Sequence, residues 1–178
     1  MRNFIQNDAG LLVPDHKLLM GGSFHAELIR DGETIDTFDF DNIVVNEGLN
    51  SALNVVFNGT TPITSWYIGL FQGNYTPVAS DTAATIAANS TESSAYAAGV
   101  RQPFTTVAST AQLITNTASK ASFVFSSGAT IYGAFLTSAA TINGVTGVLM
   151  SAARFTTSRV VANGDELLLS YSFSAASV

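Results

Sequence analysis

The chain has 178 residues and a formal net charge of −6; 47% of its residues are hydrophobic and only 11% are charged, against about 25% charged in typical soluble domains. That much apolar material excludes a disordered chain, and the absence of cysteine excludes disulfides, thiolate catalysis and Cys-ligated zinc. Residues 1–42 hold eight of the thirteen acids but three of the seven bases, and no basic patch interleaves with aromatics, so a nucleic-acid partner is not expected.

Residues 1–20 read as an N-terminal arm, with Phe4, Leu11, Leu12, Leu18 and Leu19 interrupted by Asn, Asp, Gly10 and Pro14. The arm has no continuous apolar stretch of the kind found in a signal peptide, so synthesis in the cytoplasm is the expectation. Residues 21–178 are expected to form one domain. "SFHAELIRDGETIDTFDF" alternates about Asp31-Gly32, a dipeptide suited to the positive φ of a two-residue turn, and predicts a β-hairpin. "NEGLNSALNVVFNG" predicts a short helix over 46–57, with Leu49, Leu53, Val56 and Phe57 at helical spacing and Asn58-Gly59 as the stop.

Ser65–Phe71 is apolar on both faces and reads as a strand buried on both sides, with Trp66 in the core. Residues 73–111 are rich in Gly, Ala, Ser and Thr and weakly patterned. They predict a long loop excursion with a partner-contact role, carrying one or two helical turns over Asp81–Asn89. Five further strands follow, at Gln112–Thr115, Ala121–Ser126, Thr130–Thr137, Val148–Phe155 and Glu166–Phe173. Strands at this spacing, separated by Gly-containing turns, predict an all-β antiparallel sandwich, jelly-roll-like. No run approaches ~18 apolar residues, so no membrane span is expected.

Catalytic signatures are weak. His16 and His25 have no Ser or Asp partner at motif spacing, and no serine sits in G-x-S-x-G. Asp36, Asp39, Asp41 and Asn42 form the only oxygen-ligand cluster in the sequence, but they lack the glycine and terminal Glu of a calcium loop. They read as a solvated acidic edge that discourages edge-to-edge pairing. Gly69–Gly73 has no Lys-Ser/Thr and no helix directly behind it, so it is not a phosphate loop. Alternation places Trp66 and Tyr67 on opposite strand faces, which argues against a shared pocket. No catalytic, cofactor-binding or metal-ligating residue is therefore assigned.

The segments "NIVVNEGLN", "WYIGLFQGNYTPVA", "YGAFL" and "VVANGDELLLSYSF" together resemble a family of small virion proteins of tailed bacteriophages, the class that decorates or cements the capsid. The resemblance spans about two thirds of the chain. It implies a structural protein on the capsid surface, with the major capsid protein and further copies of itself, as homodimer or homotrimer, for partners. The partner-contact residues expected on this reading are Phe4, Leu11, Leu12, Leu18 and Leu19 of the arm and Tyr75, Tyr96, Arg101 and Phe104 of the excursion. The alternative is a receptor- or glycan-binding domain of a tail fibre or spike.

Overall fold

The computed structural model of the chain describes residues 4–6, 12–14 and 18–177, the first two segments through their backbone alone. Strands β1 (Phe4–Gln6) and β2 (Leu12–Pro14) pair antiparallel in a two-stranded sheet of their own. The remaining strands build two antiparallel sheets packed face to face, the sandwich that strand count and turn spacing predict.

The first sheet grows from the Asp31-Gly32 hairpin. Strand β3 (Leu18–Arg30) pairs with β4 (Glu33–Asp41), and the turn residues have φ of 52° and 83°, the left-handed pair that lets two strands close with the right twist. The predicted hairpin is present, and β3 extends further than expected: Leu18 and Leu19 are its first residues rather than part of an arm. The chain then crosses to the second sheet through β5 (Ile43–Val44) and enters helix α1 (Asn46–Phe57). Next come β6 (Tyr67–Phe71), α2 (Ala83–Ser90), β7 (Gln102–Pro103), β8 (Leu113–Thr115) and β9 (Ala121–Val124). Strands β10 (Ala129–Thr137), β11 (Leu149–Val161) and β12 (Glu166–Ser177) complete the domain.

Strand order is β4-β3-β12-β8 in one sheet, with β9 also paired to β12, and β5-β11-β10-β6-β7 in the other. The acidic strand β4 is thus an outer strand, where its carboxylates oppose pairing with another chain. Between the sheets lies the main core. Phe24 stacks on Phe40 at 5.1 Å, and Phe155 from the facing sheet meets Phe40 edge-on at 4.6 Å, geometries that add to the gain from burial alone.

The excursion of residues 73–111 is not a projecting loop. It folds back over the outer face of the second sheet, where α2 lays Ala83 and Ile86 on Phe71, Phe135 and Leu149 in a second buried cluster. Strand β6 is consequently buried on both sides, Ile68 and Leu70 toward the main core and Phe71 toward α2. The fold has two helices where the sequence predicts one helix and a turn or two. The second is nucleated by its N-terminal threonines: the Thr82 N–H donates to Thr85 Oγ1 at 2.9 Å in a capping box.

Helix α1 forms over the predicted residues but does not bury the predicted face. Gly48 is its fully buried residue, resting on the Met150 backbone, whereas Leu53, Val56 and Phe57 are 53, 69 and 81% exposed. Helical spacing identifies the helix; a glycine contact, invisible to apolar periodicity, decides which side packs.

Candidate interaction surface

The nine expected contact residues fall into three environments. Phe4 and Leu12 belong to the β1–β2 pair, their side chains lying outside the described residues, as does Leu11 altogether. Leu18 and Leu19 are 66 and 54% exposed at the start of β3. Phe104 is half-buried, with its ring 5.7 Å from that of Tyr171 and its N–H donating to the Trp66 carbonyl at 2.8 Å. The structure brings Phe104, Leu18 and Leu19 to the same end of the sandwich, since Phe104 and the β3 residue Met20 line one cavity there.

Tyr75, Tyr96 and Arg101 have structural work instead. The Tyr75 hydroxyl donates to Asp81 Oδ1 at 2.7 Å, and burial raises its pKa. Tyr96 is buried edge-on to Phe123 at 5.0 Å, and loss of hydration pushes its phenol well above the usual tyrosine range. Arg101 is 1% exposed. Its guanidinium donates to both Glu92 carboxylate oxygens at 2.7 and 2.8 Å, to the Ala139 carbonyl at 2.9 Å and to the Gly144 carbonyl at 3.2 Å. Glu92 also accepts the Asn143 N–H at 2.6 Å. The two charges are matched in a bidentate fork with other partners satisfied, the arrangement that lets an ion pair survive burial. A surface role for Tyr96 and Arg101 is therefore replaced by a role in pinning the excursion, Arg101 to the 139–144 loop and Tyr96 to Phe123 of β9. Chain spacing alone could not show that their side chains turn inward.

The acidic cluster does not converge. Asp36 faces inward and accepts from Arg159, whose guanidinium lies 4.0 Å over the Phe38 ring, while Asp39 and Asp41 are exposed. Asp39 has another partner, His25, whose Nδ1 is 2.8 Å from Asp39 Oδ1. The register sets Asp39, His25 and Ser170 in one row across β4, β3 and β12, a proximity that sequence spacing hides. The row does not complete a nucleophilic triad. His25 Nε2 lies 3.5 Å from Glu27 Oε1, and Lys120 Nζ in turn sits 2.6 Å from that carboxylate, holding its pKa below the ordinary value. The next N–H along β12, that of Tyr171, donates to Asn116 Oδ1 at 2.7 Å and so does not face an oxyanion site beside Ser170.

Several concave features remain among the described residues. A cleft of about 580 Å³ runs along α1 between Asn46, Asn50 and Asn54 on one side and Ser80, Asp81 and Thr82 on the other. Glu47 closes its floor: one carboxylate oxygen accepts the N–H of Ala83 at 2.8 Å and that of Leu149 at 2.7 Å. At the end of the sandwich, an apolar cavity of about 350 Å³ opens between Met20, Ile63, Trp66, Phe104, Ile114 and Phe173. An adjoining hollow of about 370 Å³ shares Trp66, Ile63 and Ile114 with it and continues under Val55 and Val56 of α1. Trp66 is half-buried on the main core, as expected of a core residue at its rim. Trp66 and Tyr67 nonetheless border one shallow depression together with Pro103 and Thr105. Trp66 precedes the first residue of β6, and at the end of a strand pair alternation no longer separates the two faces.

The fold and these surfaces define an all-β antiparallel sandwich with a covering helix on one outer face. No protein-family model and no curated protein matches the chain.

Proposed function

We propose that this chain is a capsid decoration (cement) protein of a tailed bacteriophage, made in the host cytoplasm and bound to the outside of the head. On this reading it joins neighbouring copies of the major capsid protein and stabilises the shell. The observation that carries the proposal is the pairing of a densely stapled sandwich with a surface of small neutral polar residues. A lattice-binding protein works through many modest contacts repeated around a closed shell, which raises avidity without a strong local charge pair. The Glu92–Arg101 fork and the inter-sheet aromatics supply the rigidity such a clamp needs. The N-terminal segment with Phe4, Leu11 and Leu12, together with the exposed stretch 105–112, offers contacts to the shell. The motif resemblance points the same way.

A second reading, a receptor- or glycan-binding domain of a tail fibre or spike, is favoured by the α1 cleft. Its asparagine amides, hydroxyls and Asp81 are groups that pair with sugar hydroxyls. The two readings separate in one experiment. Purified protein is added to undecorated heads, and saturable binding with raised thermal and osmotic resistance of the particles is expected. Absence of binding to heads, together with binding to host surface polysaccharide, overturns the cement reading in favour of the second.

A further inference from the structure

Three asparagines in the sequence are followed directly by glycine, in Asn58-Gly59, Asn143-Gly144 and Asn163-Gly164. In such a pair the glycine nitrogen can reach the carbonyl carbon of the asparagine side chain, because no Cβ stands in the way and the glycine backbone turns freely. Ring closure needs that nitrogen unbonded and its peptide free to rotate, so the fold decides which pair is competent.

Two of the pairs are held. The Gly144 N–H donates to the Thr141 carbonyl at 3.0 Å, the Asn143 N–H donates to Glu92 Oε2 at 2.6 Å, and the Gly144 carbonyl accepts from Arg101 at 3.2 Å. The Gly164 N–H donates to the Phe125 carbonyl at 2.8 Å, and the next N–H, that of Asp165, donates to the Ala162 carbonyl at 3.2 Å. Asp165 is itself buried and held by Arg30, so this turn is anchored even though Asn163 is exposed.

The third pair is open. Asn58 and Gly59 follow the last residue of α1 and are both exposed, and the Gly59 N–H has no hydrogen-bond partner among the described residues. A Cβ built at Gly59 would meet nothing within 4 Å. The N–H groups of Asn58 and Thr60 both end on the Asn54 carbonyl, at 3.0 and 3.2 Å. Turning the peptide between Asn58 and Gly59 therefore costs the Thr60 bond and spares the Asn58 bond that closes the helix.

We propose that Asn58 is a site of spontaneous deamidation, with water as co-reactant. The Gly59 nitrogen gives its proton to solvent hydroxide and attacks Cγ of Asn58. A C–N bond forms, the Cγ–Nδ2 bond breaks, and ammonia leaves. Water then opens the five-membered imide at either carbonyl, giving aspartate or, with the main chain rerouted through Cγ, isoaspartate. Nothing is oxidised or reduced: an amide and water become a carboxylate and ammonium.

Residues 48–80 contain no Asp, Glu, Lys or Arg, so the product is the first charge on this stretch. It stands at the C-terminal end of α1, where unpaired carbonyls already carry negative partial charge and disfavour an anion. Deamidation therefore loosens the last turn of α1, beside the exposed Val56 and Phe57. The reaction requires only the folded chain and water, so it proceeds whether or not the protein binds a capsid.

In the test, the full-length protein is held in mildly alkaline buffer at physiological temperature, and peptides spanning each pair are followed by mass spectrometry. Asn58 is expected to convert first, with the mass gain of an amide turned acid and with isoaspartate in its peptide. Conversion at Asn143 and Asn163 is expected to be about 10-fold slower, the factor that a retained hydrogen bond brings to local opening. In the urea-unfolded chain the three pairs should convert at similar rates. Asn58→Gln, at an exposed position and unable to close a five-membered ring, should abolish the early event without moving it to another pair. Equal rates at the three pairs in the folded protein overturn the proposal. So does faster conversion at Asn143 or Asn163, or an Asn58 that stays intact in the folded chain. Faster hydrogen exchange at the Asn58 N–H of the converted protein reads the loosened turn, and unchanged exchange overturns that consequence.

Discussion

The Phe135 ring lies directly on Gly69 of the neighbouring strand: a Cβ built at Gly69 would stand 2.4 Å from the ring's Cζ. Two pairs along the same ladder the arrangement is reversed, with the Phe71 ring over Gly133 at 2.2 Å from a would-be Cβ. Two aromatic rings thus lie flat across two glycines and make a low floor on which α2 sits. "YIGLF" and "YGAFL", prominent in the sequence as motifs, are the two halves of this single packing device.

Gly69→Ala and Gly133→Ala are each expected to destabilise the fold by about 1–3 kcal/mol, the usual cost of overpacking a filled core. Chemical denaturation would read the loss. Gly69→Ala combined with Phe135→Leu is expected to lose less than the sum of the two single changes, because the smaller side chain makes room for the methyl.

Arg101→Met removes one partner of a buried ion pair and leaves Glu92 uncompensated, which typically costs about 3–5 kcal/mol. Adding Glu92→Leu is expected to recover part of that, by removing the stranded carboxylate. Recovery stays incomplete because Ala139, Gly144 and Asn143 lose their partners in the same step. A double-mutant cycle in denaturation measurements checks both statements.

Glu47→Gln weakens the tie between α1, the start of α2 and β11, since one carboxylate oxygen serves the N–H groups of both Ala83 and Leu149. Hydrogen bonds to a charged group are worth about 1.5–3 kcal/mol, and the amide retains the geometry but not the charge. The expected signature is local: faster hydrogen exchange at Ala83 and Leu149 before any change at β12.

Stability is expected to fall in acid through Asp165. Arg30 donates to both oxygens of this carboxylate at 2.8 and 2.7 Å, and its hydrogen bonds hold the carboxyl below the ordinary 3.8. A lowered folded-state pKa means that the unfolded chain binds protons first as pH drops. The contribution is complete above the ordinary carboxylate range and is lost as pH falls below about 3.8. Arg30→Ala should give a flatter stability profile through that window, converging with the parent at the acid end. Parallel profiles of unequal height would contradict it.

Much of this protein is written locally in its sequence. The Asp31-Gly32 turn, the alternation of β4, the helix over Asn46–Phe57 and the strands from Leu113 onward follow from side-chain periodicity and turn chemistry between near neighbours. These signals act within a few residues, so a linear reading captures them. The boundaries it missed, at Leu18 and at Val161, lie where a strand is prolonged only because a partner strand is there to pair with.

Tertiary structure alone decided the rest. It buried Gly48 and turned Leu53 and Phe57 outward, because close backbone approach to Met150 outweighs the pull of two apolar side chains. It closed the α2 and Arg101 segments of the excursion onto the sheet, because Phe71 and Phe135 needed cover and Arg101 found Glu92, and it left residues 105–112 exposed. It set Ser170 beside His25, from strands far apart in the chain. It also brought Met20, Ala52, Trp66, Phe104, Ile114 and Phe173, from distant parts of the chain, around one apolar hollow. The sequence determines that these side chains are apolar, and only the packing of α1, β3, β8 and β12 sets them around one hollow.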